Sequence, residues 1–224
     1  MHSPIQSISM DNDGLKKLKS KSDLHITRKV WHFIGIITIA VLFHNMTRQA
    51  ALVTSMTCML GLLLLETIRI RSLSFNKFVI SLFGPVMRER EKYTYTGTSA
   101  LLVGTFIIIF LFPPKIVTLS LLFLAMADPL ASYFGVKYGK DQLVQGKSLQ
   151  GSIAAFFTCF FISLIFYLAE GLMTDRILIV SLLTGLCGAF AELVSIGKLD
   201  DNLTFPVINS CLVWALFTVF GASV

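Results

Sequence analysis

The chain has 224 residues, of which 54% are hydrophobic and only 14% charged, with 19 phenylalanines and a mean hydropathy of +0.75. A soluble domain carries about 25% charged residues, so this composition excludes an ordinary soluble fold and predicts an all-α, polytopic transmembrane bundle. The net charge of +6 calls for no nucleic acid, because the basic residues are distributed as membrane topology requires.

Residues 1–27 are polar and carry Lys16, Lys17, Lys19 and Lys21. They are expected to form a flexible cytoplasmic tail with no cleavable signal peptide, leaving 28–224 as one transmembrane catalytic domain. A spanning helix needs about 20 apolar residues to cross a hydrocarbon core about 30 Å thick. Seven stretches are candidates: 30–46, 49–68, 96–112, 115–136, 151–169, 177–195 and 204–222. The first and third have the shortest apolar cores. Residues 72–87 are apolar but interrupted by Asn76, Lys77, Gly84 and Pro85, which predicts an amphipathic helix in the interface. Cys58, Cys159, Cys187 and Cys211 lie in apolar stretches without metal-ligand spacing and read as packing residues.

With the N-terminus in the cytoplasm, all but three of the 19 lysines and arginines fall on the inner side. The three are Arg48, Lys115 and Arg176. An odd number of spans then places the C-terminus outside. In this topology the ionisable residues within spans gather near the cytoplasmic face: His32, Glu66 with Arg69, Asp128 and Glu192, followed by Asp200, Asp201 and Asn202. Asp128 stands about 13 Å along its helix from Lys137, at 1.5 Å per residue. Such groups are costly in a bilayer and face a cavity or a partner. Several on one side predict a polar site open to the cytoplasm.

The stretch 126–152, MADPLASYFGVKYGKDQLVQGKSLQGS, follows Asp128 with a loop of glycines, Lys137, Lys140, Lys147 and Ser148. The loop lacks the GxxxxGK[ST] spacing of a Walker A motif. Its chemistry still suits phosphate: Gly146 permits close backbone approach, Lys147 supplies charge and Ser148 a hydroxyl. A helix starting near Ser148 would aim its free N–H groups at the same spot. Taken singly, each piece has a plainer reading. Asp128-Pro129 can be a kink, 137–152 a basic loop on anionic lipid, Asp200-Asp201-Asn202 a turn, His32 an interfacial histidine and 88–91 a solvated charged face.

Taken together, RKVWH at 28–32, ETIR at 66–69, MREREKYTYTG at 87–97, ADPLASYFGVKYGK at 127–140, GKSLQGSIAAFF at 146–157 and AELVSIGKLDDNLTFPVINS at 191–210 resemble the CTP-dependent lipid-alcohol kinases. That family includes yeast-type diacylglycerol kinase, dolichol kinase and phytol kinase, and is related to the phosphatidate cytidylyltransferases. KSLQGSIAAF and DDNLTFPV look closest to the yeast-type diacylglycerol kinase. The resemblance implies a nucleotide-binding and catalytic region containing Arg28, Lys29, Asp128, Gly139, Lys140, Lys147, Ser148, Gly151, Asp201 and Asn202. It also implies CTP as donor and a divalent cation, commonly Mg²⁺. The many additional N-terminal spans of dolichol kinases are missing from this sequence, which disfavours a dolichol-specific role. The terminal signature of the cytidylyltransferases is replaced by DDNLTFP.

Phosphoryl transfer depends on positioning and charge neutralisation, which assigns expected roles. Asp128 and Asp201 carry the metal, with Glu192 and Asp200 as further candidates. Lys147 and Lys140 neutralise the triphosphate, while Ser148 and the backbone near Gly146 and Gly151 cradle it. Arg28, Lys29 and Arg69 line the rim. The acceptor is a lipid alcohol from the bilayer, with diacylglycerol preferred over a prenol or polyprenol, and Asp128 is also a candidate proton acceptor. The expected location is a bacterial inner membrane or the endoplasmic reticulum. Three rival readings stay open: a cytidylyltransferase, a small transporter using Asp128 and Glu192, and a structural membrane subunit.

Overall fold

Helix boundaries fall where the sequence supplies caps and breakers. The computed structural model describes residues 26–144, 146–194 and 199–222. Nearly all of the expected tail, and Lys198 among the inner-side cations, lie outside the described residues. After α1 (Ile26–His44), the Thr47 hydroxyl accepts the Ala50 N–H and opens α2 (Arg48–Arg71). Ser72 adopts an extended conformation, closes α2, and starts α3 (Leu73–Phe83) by accepting the Phe75 N–H. A 3₁₀ turn, Glu89–Lys92, precedes α4 (Gly97–Leu111). Pro114 occupies the first position of α5 (Pro114–Tyr138), where its missing N–H costs nothing. The antiparallel pair β1 (Gln142–Val144) and β2 (Lys147–Ser148) leads into α6 (Leu149–Glu170). Gly171 ends α6 at φ 63°, a left-handed cap that suits glycine. The chain finishes with α7 (Ile177–Leu193) and α8 (Asp201–Val219).

Each of the seven expected spans coincides with a helix, and the expected interfacial helix is the 11-residue α3. Six helices are long and apolar enough to cross a bilayer. The exception is α4, whose 15 residues extend about 22 Å at 1.5 Å per residue, short of a full hydrocarbon core. It packs between α2 and α8, so its short length is set among other helices. The other weak stretch, α1, does meet the criterion.

The centre of the bundle is α5, which packs on α1, α6 and α8. Its Ile116, Val117, Leu119, Leu121, Phe123 and Leu124 are fully buried. Small residues set the close approaches, as in membrane bundles generally. A Cβ at Gly188 on α7 would collide with Cys159 on α6, and one at Gly104 on α4 would come within 3.1 Å of the Asn202 carbonyl on α8. Asn209 and Ser210, polar residues within α8, both donate to the Ser120 hydroxyl on α5, at 3.0 and 2.8 Å. They tie helices together deep in the bundle.

Candidate active site

Alternating helix direction brings the start of α1, the end of α5, the start of α6, the end of α7 and the start of α8 to one end of the bundle. There they surround a cavity of about 450 Å³. Helix α1 contributes Arg28, Lys29 and His32, and α5 contributes Asp128 and Gly135, with Gly139 just past its end. The hairpin and the start of α6 add Gly146, Lys147, Ser148 and Gly151. Glu192 comes from α7, Asp201 and Asn202 from α8, and Arg88 from the segment before α4. Four cations and three carboxylates thus share one cavity.

Lys147 is the electrostatic hinge of this set. Its ammonium donates to Glu192 Oε1 at 2.8 Å and to Asp201 Oδ2 at 3.4 Å. Burial alone pulls the lysine down, but the carboxylates of Glu192, Asp201 and Asp128 outweigh it and hold Lys147 above the usual lysine value. Glu192 is further engaged by the Ser152 hydroxyl at 3.5 Å. Asp128 is the least committed carboxylate: among the described residues its ion-pair partner is His32, with Nε2 3.8 Å away. Lys29 Nζ and His32 Nε2 are buried atoms without a hydrogen-bond partner among the described residues, and Lys29 Nζ lies 5.7 Å from the Tyr133 ring centroid.

The hairpin is held against α5 by glycines. Gly146 sits at φ 79°, in the left-handed region. A Cβ at Gly139 would meet Ser148 at 2.9 Å, and one at Gly151 would meet the Ala131 carbonyl at 2.8 Å. Helices α6 and α8, like α1, begin at this end of the bundle, with their positive dipole ends on the cavity side. Cationic side chains and helix N-termini on one concave surface are features that suit anions.

Not every expected residue reaches this site. Lys140 does not line the cavity; its backbone N–H donates to the Gln150 side chain. Asp200 caps α8 by accepting the Asn202 N–H and pairs with Arg88 at 3.2 Å and Arg90 at 2.6 Å. The Gly151 N–H is taken by the Ser148 hydroxyl, so the cap consumes one donor expected for phosphate. Arg69 is not a rim residue. It is 1% exposed and bonds Glu66, Asn76 and the carbonyls of Glu91, Lys92 and Thr94. A guanidinium so fully used inside the protein has no capacity left for a nucleotide. The 88–91 stretch is a solvated face only in part: Glu89 and Arg90 are exposed, while Glu91 is buried and accepts from the Arg88 and Gly97 N–H groups. Arg88 was absent from the sequence-derived site, and its charge pattern alone gave no sign that it would turn inward.

Among the described residues, no group of three His, Cys, Asp or Glu side chains forms a metal cage by itself. Mg²⁺ seldom needs one, since it is commonly held by one or two carboxylates together with substrate phosphates and waters. Asp128 and Asp201, facing one cation-rich cavity, fit an ion that arrives with a nucleotide.

A helical bundle with apolar helices and a charged cavity at the helix ends defines a membrane protein with a polar cavity at one end. No protein-family model matches the chain, and no solved structure matches it. The chain is 33% identical over 161 residues to CTP-dependent diacylglycerol kinase 1 of Schizosaccharomyces pombe, covering 67% of this chain and 74% of that protein. It is 30% identical over 215 residues to the Saccharomyces cerevisiae protein of the same name, covering 87% and 74%. An uncharacterised protein of Rickettsia prowazekii is 31% identical over 202 residues, covering 87% and 95%. The chain belongs to the CTP-dependent diacylglycerol kinase family and is a phosphotransferase of the kinase type.

Proposed function

We propose that this protein transfers the terminal phosphoryl group of CTP to the hydroxyl of a membrane lipid alcohol, diacylglycerol in the first place, giving phosphatidate at the cytoplasmic face. The observation that carries this reading is the cavity in which Lys147 is clamped between Glu192 and Asp201 while Arg28, Lys29 and Asp128 line the same walls. A phosphoryl-transfer site needs positioned cations and carboxylates more than covalent chemistry. Relatives named for CTP-dependent diacylglycerol kinase activity support the donor and the acceptor.

In this reading Lys147, Arg28 and Lys29 neutralise the triphosphate, Ser148 and the backbone at Gly146 approach it closely, and Asn202 lines the same wall. Asp128 and Asp201 hold Mg²⁺, with Glu192 behind them. The ion, when bound, spreads charge from the phosphate oxygens. Asp200 orders the start of α8, and through Arg88 and Arg90 anchors the segment before α4. Gly139 and Gly151 keep the hairpin close to α5. The basic residues about this end of the bundle favour the cytoplasmic side.

The test is transfer of γ-label from CTP to diacylglycerol by purified protein, with Asp128→Asn beside it. The variant is expected to lose at least about a hundredfold in turnover. Near-normal turnover with nucleotide binding intact would remove Asp128 from the mechanism.

A further inference from the structure

Beside the polar cavity lies a second one of about 560 Å³ whose walls are mainly apolar. It occupies the gap between α1 and the unit formed by α2, α3 and α4. The gap exists because α1 packs chiefly on α5. Trp31, Gly35, Leu62, Phe78, Phe83 and Leu102 are among its lining residues. The two cavities share Arg28, His32 and Asn202, so the apolar space abuts the charged one. Other charged groups in its wall, Glu66, Arg69 and Glu91, are already hydrogen-bonded within the protein. Trp31 on α1 and Phe83 on α3 face each other with ring centroids 6.4 Å apart, and both are exposed on the outer surface. They frame an exposed apolar edge between α1 and α3.

We infer that this cavity is the binding site of the lipid acceptor. It takes the glycerol end and the first part of the chains of a diacylglycerol-type alcohol, admitted sideways between α1 and α3. The remainder of the chains stays in the bilayer. This inference rests on the proposed kinase reading and assigns a place to its second substrate. Its physical basis is continuity. An apolar site with polar groups confined to one end orients an amphiphile with its hydroxyl toward that end. Here that end is the shared wall of Arg28, His32 and Asn202, beyond which the triphosphate would lie. The hydroxyl oxygen then forms the new bond to the terminal phosphorus as the bond from that phosphorus to the bridging oxygen breaks. CDP departs with the electron pair, and the hydroxyl proton leaves through the polar cavity to a carboxylate there. Because the cavity receives only the proximal part of the lipid, acceptors with short and long chains are used comparably.

Two glycines make the test. At both Gly35 on α1 and Gly61 on α2, an added Cβ would have no heavy atom within 4 Å, but Gly35 lines the cavity and Gly61 lines neither cavity. The assay is phosphorylation of dioctanoylglycerol and a long-chain diacylglycerol in mixed micelles, with CTP binding measured separately. Gly35→Leu should raise the KM for both lipids by about tenfold or more while the Kd for CTP stays within about twofold, and Gly61→Leu should match wild type in both. Leu102→Trp, from the opposite wall, should act like Gly35→Leu and covers the case in which one variant fails to fold. If wild type is active and each folded filling variant retains the wild-type lipid KM, the acceptor lies elsewhere and the inference is overturned. If wild type transfers phosphate to no lipid alcohol while still binding CTP, the kinase reading itself fails and takes this one with it.

Discussion

Replacing Lys147 by methionine removes the one cation among the described residues that bridges two carboxylates of the cavity. The side chains of Lys147 and Glu192 are 14% and 6% exposed, while Asp201 is 32% exposed. Breaking a buried ion pair from one side costs about 3–5 kcal/mol, because the remaining charge is left without compensation. The Asp201 share is close to a surface pair and adds less than about 1 kcal/mol. The expected loss is therefore about 3 kcal/mol, almost all from Glu192, and roughly a 10 °C fall in Tm for a chain of this size. Catalysis should fall further than stability explains, by about 10²–10³, as for removal of one preorganised donor to developing charge. The two effects separate in the double variant Lys147→Met/Glu192→Gln. Neutralising Glu192 removes the stranded charge, so Tm should recover most of its loss while activity stays low. Thermal unfolding in detergent and steady-state kinetics with varied CTP read both quantities. A single variant within about threefold of wild-type turnover, with an unchanged KM for CTP, would refute the reasoning.

Four other outcomes are expected. Because Lys147 is held above the usual lysine value of 10.5, its ion-pair stabilisation is complete below that value and is lost only as pH rises through the higher folded value. The pH–rate profile between about pH 7 and 9 should accordingly show no limb that Lys147→Arg shifts. Arg69→Lys should lower Tm nearly as much as Arg69→Ala, since an ammonium cannot replace a fork that serves Glu66, Asn76 and three carbonyls; equal Tm for Arg69→Lys and wild type would contradict the buried knot. Asp200→Ala should cost about 1 kcal/mol of stability through loss of the α8 cap and reduce turnover less than Asp201→Asn, a ranking read by parallel kinetics. Chelation of divalent cations should abolish transfer and added Mg²⁺ restore it, with activity in excess chelator as the contrary result.

The long helices were legible because bilayer thickness writes itself into runs of apolar residues, and the caps at Thr47, Ser72 and Ser148 lie where hydroxyl residues meet those runs. The polar cavity was legible through cost: Asp128 and Glu192 have no reason to sit in apolar helices unless such a cavity receives them. Pairing was not legible. Arg69, Arg88 and Asp200 are all charged and all near the same end of the bundle, and their sequence positions do not say which becomes buried. Arg69 was taken inward because Glu66 one turn earlier, Asn76 on α3 and the carbonyls of 91–94 converge on it. Arg88 and Arg90 reach Asp200 more than a hundred residues away, a long-range contact that local pattern cannot encode. The adjoining apolar cavity was equally hidden. Its apolar lining is ordinary Leu, Phe and Trp, and only the packing of α1 onto α5 opens it.

The central claim is tested most directly by reconstituting the purified protein with Mg²⁺, diacylglycerol and a short polyprenol, and supplying CTP labelled at either the γ- or the α-phosphate, with ATP as the comparison donor. The account predicts that γ-label enters lipid, that CTP is preferred, and that diacylglycerol is the better acceptor. Label entering lipid only from the α position, in a parallel reaction with phosphatidate, would contradict it and make the protein a cytidylyltransferase.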